Sequence, residues 1–353
     1  MASREANRHS NVLKAFRGIV AGAAGLALAG ALSSAALAQN TPIKFSLDWK
    51  FEGPAAPFIV ALEKGYFTEE GLDVTIDTGA GSLEPINRVA SGTYQMGFGD
   101  INSLIKFKDQ NPGAPVQAIY MVYDKPAFAI VGRKSQGVSA PKDLEGKTLG
   151  APAPDGAYAQ WPIFVRANGI DAAKVTIENV GFPVREPMLA QGQVDAITGF
   201  SFSSFINLKA AGVPEDDISV MLMANHGVAL YGNAIIVNTG FAGANPEAVK
   251  GFLRAFNKGV KETIADPAAS VEHVVAANPV ITKEAELERL QMAIDQNILT
   301  EDVKTKGLGG VDPERMSKAI DQLALTYEFK EKPTTEDVFD PSYLPEASER
   351  AIE

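Results

Sequence analysis

Rings and carboxylates set in loops are the residues of this sequence with the most to offer chemically. Trp49-Lys50-Phe51-Glu52-Gly53-Pro54 places an indole, a phenyl ring and a carboxylate where Gly and Pro forbid regular structure. Asp100, Asn102 and Tyr123 stand at strand ends or helix starts further on. Asp155, Tyr158, Trp161, Glu186, Phe200 and Ser201 do the same later in the chain, followed by Tyr231. Rings of this kind stack on flat solutes, and Glu52 and Glu186 can accept hydrogen bonds from an amino group or a ring N–H. Arginine is scarce in these loops, Arg185 excepted, whereas sulfonate and nitrate sites gather Arg, Lys or helix N-terminal amides. The inventory therefore leans towards a planar nitrogenous solute. Plainer roles stand beside this one: Asp100 suits an N-cap, Trp161 precedes Pro162 at a helix start from which it can turn into a core, and Glu186 fits an exposed first-turn glutamate.

The elements that must position these residues alternate strand and helix. Ile43, Phe45 and Leu47 alternate with Lys44 and Ser46, the period of a half-buried strand, and Phe58, Ala61 and Leu62 recur at helical spacing up to Gly65. With a second strand at Leu72–Ile76, this order makes a right-handed crossover. It leaves the Trp49 loop at the carboxyl edge of a parallel sheet, where open α/β sheets bind ligands. Further strand–helix units follow, and Phe128–Arg133 reads as a strand leaving the first lobe. A second α/β set opens at Lys147, and a strand near Tyr231 returns. The expected organisation is lobe 1 over 39–131 and 230–353, lobe 2 over 132–229, and a hinge of two crossings near Val131 and Ala229. Beyond Asn245-Pro246, Val249, Phe252, Leu253, Phe256 and Val260 mark one buried helix face, and the helical remainder is expected to support lobe 1 without binding chemistry.

The chain has 353 residues, 46% of them hydrophobic and 21% charged, enough for two cores. It has no cysteine, which excludes disulfides, thiolate metal sites and a cysteine nucleophile. Arg4, Arg8, Lys14 and Arg17 precede the apolar run Ile19–Leu32, and Ala36-Leu37-Ala38 fits a small-x-small cleavage site, so residues 1–38 read as a secretory leader. Its removal takes away a net +3 and shifts the formal charge from −11 to −14, a surface that disfavours nucleic acid and anionic membranes. His226 and His273 are then the histidines that remain. Gly199-Phe-Ser201-Phe-Ser203 lacks the second glycine of a nucleophile elbow, and no residues stand at metal-ligand spacing. Neither an enzyme nor a cofactor is expected.

Ala61-Leu-Glu-Lys-Gly-Tyr-Phe-Thr-Glu-Glu-Gly-Leu-Asp-Val74, following Leu47-Asp48-Trp49, resembles the opening of solute-binding proteins for nitrate, sulfonate, taurine and thiamine-pyrimidine precursors. The resemblance continues through Ser91-Gly92, Gly97-Phe-Gly-Asp100, Asp143-Leu-Glu-Gly-Lys147 and Gly192-Gln-Val-Asp-Ala196. It implies a type II periplasmic-binding-protein fold, two α/β lobes with the ligand cleft between them. It also implies a periplasmic, monomeric component of an ABC importer that hands a small solute to a membrane permease. The pyrimidine branch usually follows the Trp with Pro-Asn and then a His. Here those places hold Phe51, Glu52 and Ala55, which argues against the related pyrimidine-making enzyme that uses the histidine.

Overall fold

Burial of alternate side chains builds the first strand of a computed structural model that describes residues 40–352. The expected leader lies outside the described residues. β1 (Thr41–Ser46) sinks Ile43 and Phe45 completely and runs parallel to β2 (Leu72–Asp77) in the register Ile43↔Val74. Between them, Pro57 opens the helix Ala56–Glu63, whose Phe58 ring meets Phe45 and Phe256 at 5.1 and 4.4 Å between centroids. Phe252 and Phe256 come from the long helix Pro246–Ala265, and each ring removed from water adds roughly 1.5–3 kcal/mol.

β3 (Met96–Asp100) and β4 (Val116–Met121) extend this sheet. β5 (Phe128–Arg133), β6 (Thr148–Gly150), β7 (Thr176–Glu178), β8 (Ala196–Phe200) and β9 (Ile218–Leu222) form a second sheet. β10 (Asn233–Asn238) returns to the first. The strand orders, β2-β1-β3-β10-β4 and β7-β6-β8-β5-β9, are the same design twice. In each, three strands are parallel, and the fourth position holds an antiparallel strand that has just arrived from the other sheet. This is the two-lobed α/β architecture expected.

The exit from the first lobe differs from the sequence expectation. β5 pairs along its whole length with β8 and β9, so Val131 is interior to the second sheet and the crossing runs through residues 122–127. The return runs through residues 223–232. Tyr123 and Gly232 link the two connections: Gly232 N donates to Tyr123 O at 2.9 Å, and Tyr123 N to Asn233 O at 2.9 Å. The apolar run of β5 could not reveal this, because a strand buried on both faces reads alike in either sheet.

Candidate ligand cleft

Six loops that follow strand carboxyl ends meet between the sheets: those after β1, β2, β4, β6, β7 and β8. They line two adjoining cavities of ≈ 30 Å³ each, which share Asp48, Trp49, Phe200 and Ser203. Such a volume admits a water or two and not a ring, so a solute enters by separation of the walls. One cavity adds Ser82, Asp155, Phe182 and Arg185; the other adds Lys50, Glu52, Tyr123 and Phe202.

Ring edges set the walls. Trp49 meets Phe182 edge-on at 5.0 Å across the lobes, and Tyr123 lies 6.4 Å from Phe200 and 6.1 Å from Phe202. Close approach of the loops needs glycine. A Cβ on Gly81, at φ 91°, would lie 2.9 Å from Pro154 O and 3.0 Å from the Phe182 ring. One on Gly199 would lie 2.4 Å from Ser204 Oγ and 3.1 Å from the Arg185 guanidinium.

The polar floor is acidic. Asp48 Oδ2 accepts from Asn233 Nδ2 at 2.6 Å, and no cation lies within ion-pair distance of it among the described residues. Burial raises this carboxyl to about 7, with Asp100 and Asp155 adding to the shift and Asn233 opposing it. Burial also raises Glu52, against the opposing charge of Arg289 at 3.3 Å; Ser203 Oγ donates to Glu52 at 3.2 Å. Asp155 is raised by burial too, although Arg185 stands 3.5 Å away and Thr198 donates at 2.8 Å. Arg185 itself is engaged by Glu186, at 2.6 Å from Nη2, and Ser204 Oγ completes the site by donating to Glu186 at 2.9 Å. The Tyr123 phenol is pushed well up by burial and by Asp48 and Glu52.

Of the residues expected from sequence, Trp49, Glu52, Tyr123, Asp155 and Phe200 line the cavities. Glu186 stands behind Arg185 as its buried partner and is not an exposed first-turn glutamate. The others are placed elsewhere. Asp100 caps the helix Ile101–Gln110 through Asn102 N and Ser103 N, and Asn102 Nδ2 ties Asp100 to Tyr231 O. Phe51 packs on the first core, its carbonyl accepting from Asn278. Tyr158 and Trp161 belong to the core beneath, with Trp161 stacked on Phe164. Ser201 donates to Gln296 at 3.1 Å, and Tyr231 OH accepts from Asp312 N at 2.9 Å, neither lining the cleft.

Sequence reasoning passed over Asp48, Ser82, Phe182 and Ser203. Alternation alone makes Asp48 the polar outward partner of Leu47, so the available signal was its place just past the carboxyl end of β1. The helical remainder was also expected to carry no binding chemistry. Arg289, on the helix Lys283–Ala293, lines neither cavity but supports the site from that region: it bridges Glu52, Glu286, Ser203 O and Asn207.

The sequence matches the family described as NMT1/THI5 like over residues 54–270, more than half of the chain. The chain belongs to that family. Among the relatives, the formylaminopyrimidine-binding protein of Halalkalibacterium halodurans is 27% identical over 310 residues, 84% of this chain and 89% of that protein. Riboflavin-binding protein RibY of Chloroflexus aurantiacus is 27% identical over 214 residues, 60% of this chain, and the alignment spans 59% of RibY. A 4-amino-5-hydroxymethyl-2-methylpyrimidine phosphate synthase of Aspergillus parasiticus is 28% identical over 248 residues, covering 68% of this chain and 71% of the synthase. In fold, the chain resembles the alkanesulfonate-binding protein SsuA of Xanthomonas axonopodis pv. citri bound to MOPS, with a TM-score of 0.65, 12% identity, and coverage of 85% of this chain and 98% of that one.

Proposed function

We propose that this protein is the extracytoplasmic solute-binding component of an ABC importer, and that it closes its lobes on a small planar nitrogenous compound for delivery to a membrane permease. The carrying observation is the composition of the cleft between the sheets: ring edges from both lobes over a floor whose arginines already have carboxylate partners. Such walls suit a flat solute, and such a floor offers acceptors to N–H groups. The family relatives that bind riboflavin and a formylaminopyrimidine handle solutes of this kind. Capture follows from two lobes, 40–127 with 232–352 and 128–231, turning about the paired connections; a solute that touches both walls favours the closed form.

The synthase among the relatives is the second reading. Phe51, Glu52 and Ala55 stand where the Pro-Asn and His of the pyrimidine branch are usual, which supports binding without conversion. Secretion through the leader at 1–38, a periplasmic location and a monomeric state complete the proposal. Native mass spectrometry of the purified protein, then thermal-shift screening of pyrimidines, flavins, sulfonates and nitrate, tests it. A heterocycle bound unchanged is the expected result. Turnover of that compound would overturn the non-enzymatic reading.

A further inference from the structure

Resting on the cleft assignment above, we infer that Asp48 captures an amino-substituted nitrogen heterocycle by sharing one proton with its ring nitrogen, so that solute binding takes up a proton and anionic solutes are refused. Asp48 differs from every other acid of the cleft in what it lacks. Glu52 has Arg289 and Ser203; Asp155 has Arg185, Thr198 and Ala157 N; Glu186 has Arg185 and Ser204. Asp48 has a single side-chain donor, the Asn233 amide on Oδ2, beside its own backbone N–H, and no side chain among the described residues donates to its Oδ1. It is 5% exposed and yet borders both cavities. Trp49 Nε1 beside it is buried with no acceptor among the described residues, a second polar group without a partner there.

The groups around Asp48 favour retention of a proton. Asp100, at the end of β3, and Asp155, after β6, face it with like charge, and Tyr123 on the first connection interacts with it as a neutral phenol. Arg185 borders the same cavity but is held by Glu186, Glu52 is held by Arg289, and Lys50 is exposed. Desolvation adds to the same preference, and the carboxyl is raised accordingly.

A protonated carboxyl presents one O–H donor and one acceptor side by side. An amino group next to a ring nitrogen presents the complement. In the complex one proton lies between Oδ1 and the ring nitrogen, while the amino N–H points to a carboxyl oxygen. When Asp48 enters ionised, that proton comes from solvent, and no other bond changes. A sulfonate or nitrate would instead bring its charge against Asp48, with the nearby arginines already engaged.

Titration calorimetry of the whole protein tests this with 4-amino-5-hydroxymethyl-2-methylpyrimidine, at pH 6, 7, 8 and 9 in buffers of differing ionisation enthalpy. MOPS and nitrate serve as anionic probes in thermal shift. Expected are proton uptake approaching one per solute at pH 8 and an affinity falling about tenfold per pH unit above 7. In Asp48→Asn the amide can still pair with the neutral heterocycle, but the affinity is level from pH 7 to 9 and the proton uptake is gone. Proton release, no proton exchange, or the same slope in Asp48→Asn overturns the inference and leaves the solute-binding reading intact. So does stabilisation by MOPS or nitrate where the pyrimidine gives none. If no probe binds, the inference falls, and the mass-spectrometric result decides the broader reading separately.

Discussion

Asp48 and Arg289 show how one buried charge can be left open and another closed. Arg289 is 3% exposed and satisfies Glu52, Glu286, Ser203 O and Asn207 together. Replacing it by Ala strands two carboxylates in the interior, so Arg289→Ala should lose about 3–5 kcal/mol in urea unfolding, with Arg289→Lys losing less. Asp48 behaves oppositely. Its folded value of about 7 stands above the unfolded 3.8, so the folded state binds the proton more tightly. Stability therefore falls as pH rises from about 4 to about 7 and is level beyond, by roughly 4 kcal/mol at most. Asp48→Asn, which keeps an oxygen for Asn233, should match the native protein at pH 4 and exceed it in melting temperature at pH 8.

Among the elements, the helix Ser201–Ala210 of the second lobe and the helix Lys283–Ala293 of the first carry the contact between lobes. Lys209 reaches Glu288 at 2.6 Å and Ser201 reaches Gln296, in the turn just after that helix, at 3.1 Å, while Arg289 spans the centre. The Lys209–Glu288 pair is partly exposed and worth under about 1 kcal/mol to folding. Its loss acts on closure. Lys209→Ala should leave urea stability within about 0.5 kcal/mol yet speed solute dissociation, read by stopped-flow tryptophan fluorescence from Trp49. Gly199→Ala belongs to the same scale. Its methyl would collide with Ser204 Oγ and the Arg185 guanidinium, so β8 or the helix Arg185–Ala190 must shift, at about 1–3 kcal/mol and with loss of solute affinity.

At the scale of the molecule, two sheets of one design exchange a strand each, and the paired connections leave rotation as the soft motion. A solute bridging Trp49 and Phe182 stabilises the closed arrangement against both opening and unfolding. At a hundred times its dissociation constant the gain is about 2.7 kcal/mol, visible as a rise in melting temperature, with a smaller radius of gyration in small-angle scattering.

The sequence by itself determined the strands, the helices and the loops that carry Trp49, Glu52, Tyr123 and Phe200, because burial period and chain-breaking residues are local properties. It also placed Asp100 at its cap and marked Pro162 as the point from which Trp161 could turn inward. Tertiary structure alone decided that β5 lies in the second sheet, that Arg289 reaches Glu52 from 237 positions further along, and that among the described residues Asp48 has no cation beside it. These are matters of which distant groups come within a few ångströms of one another. Chain order does not encode that proximity until the two lobes are built and brought together.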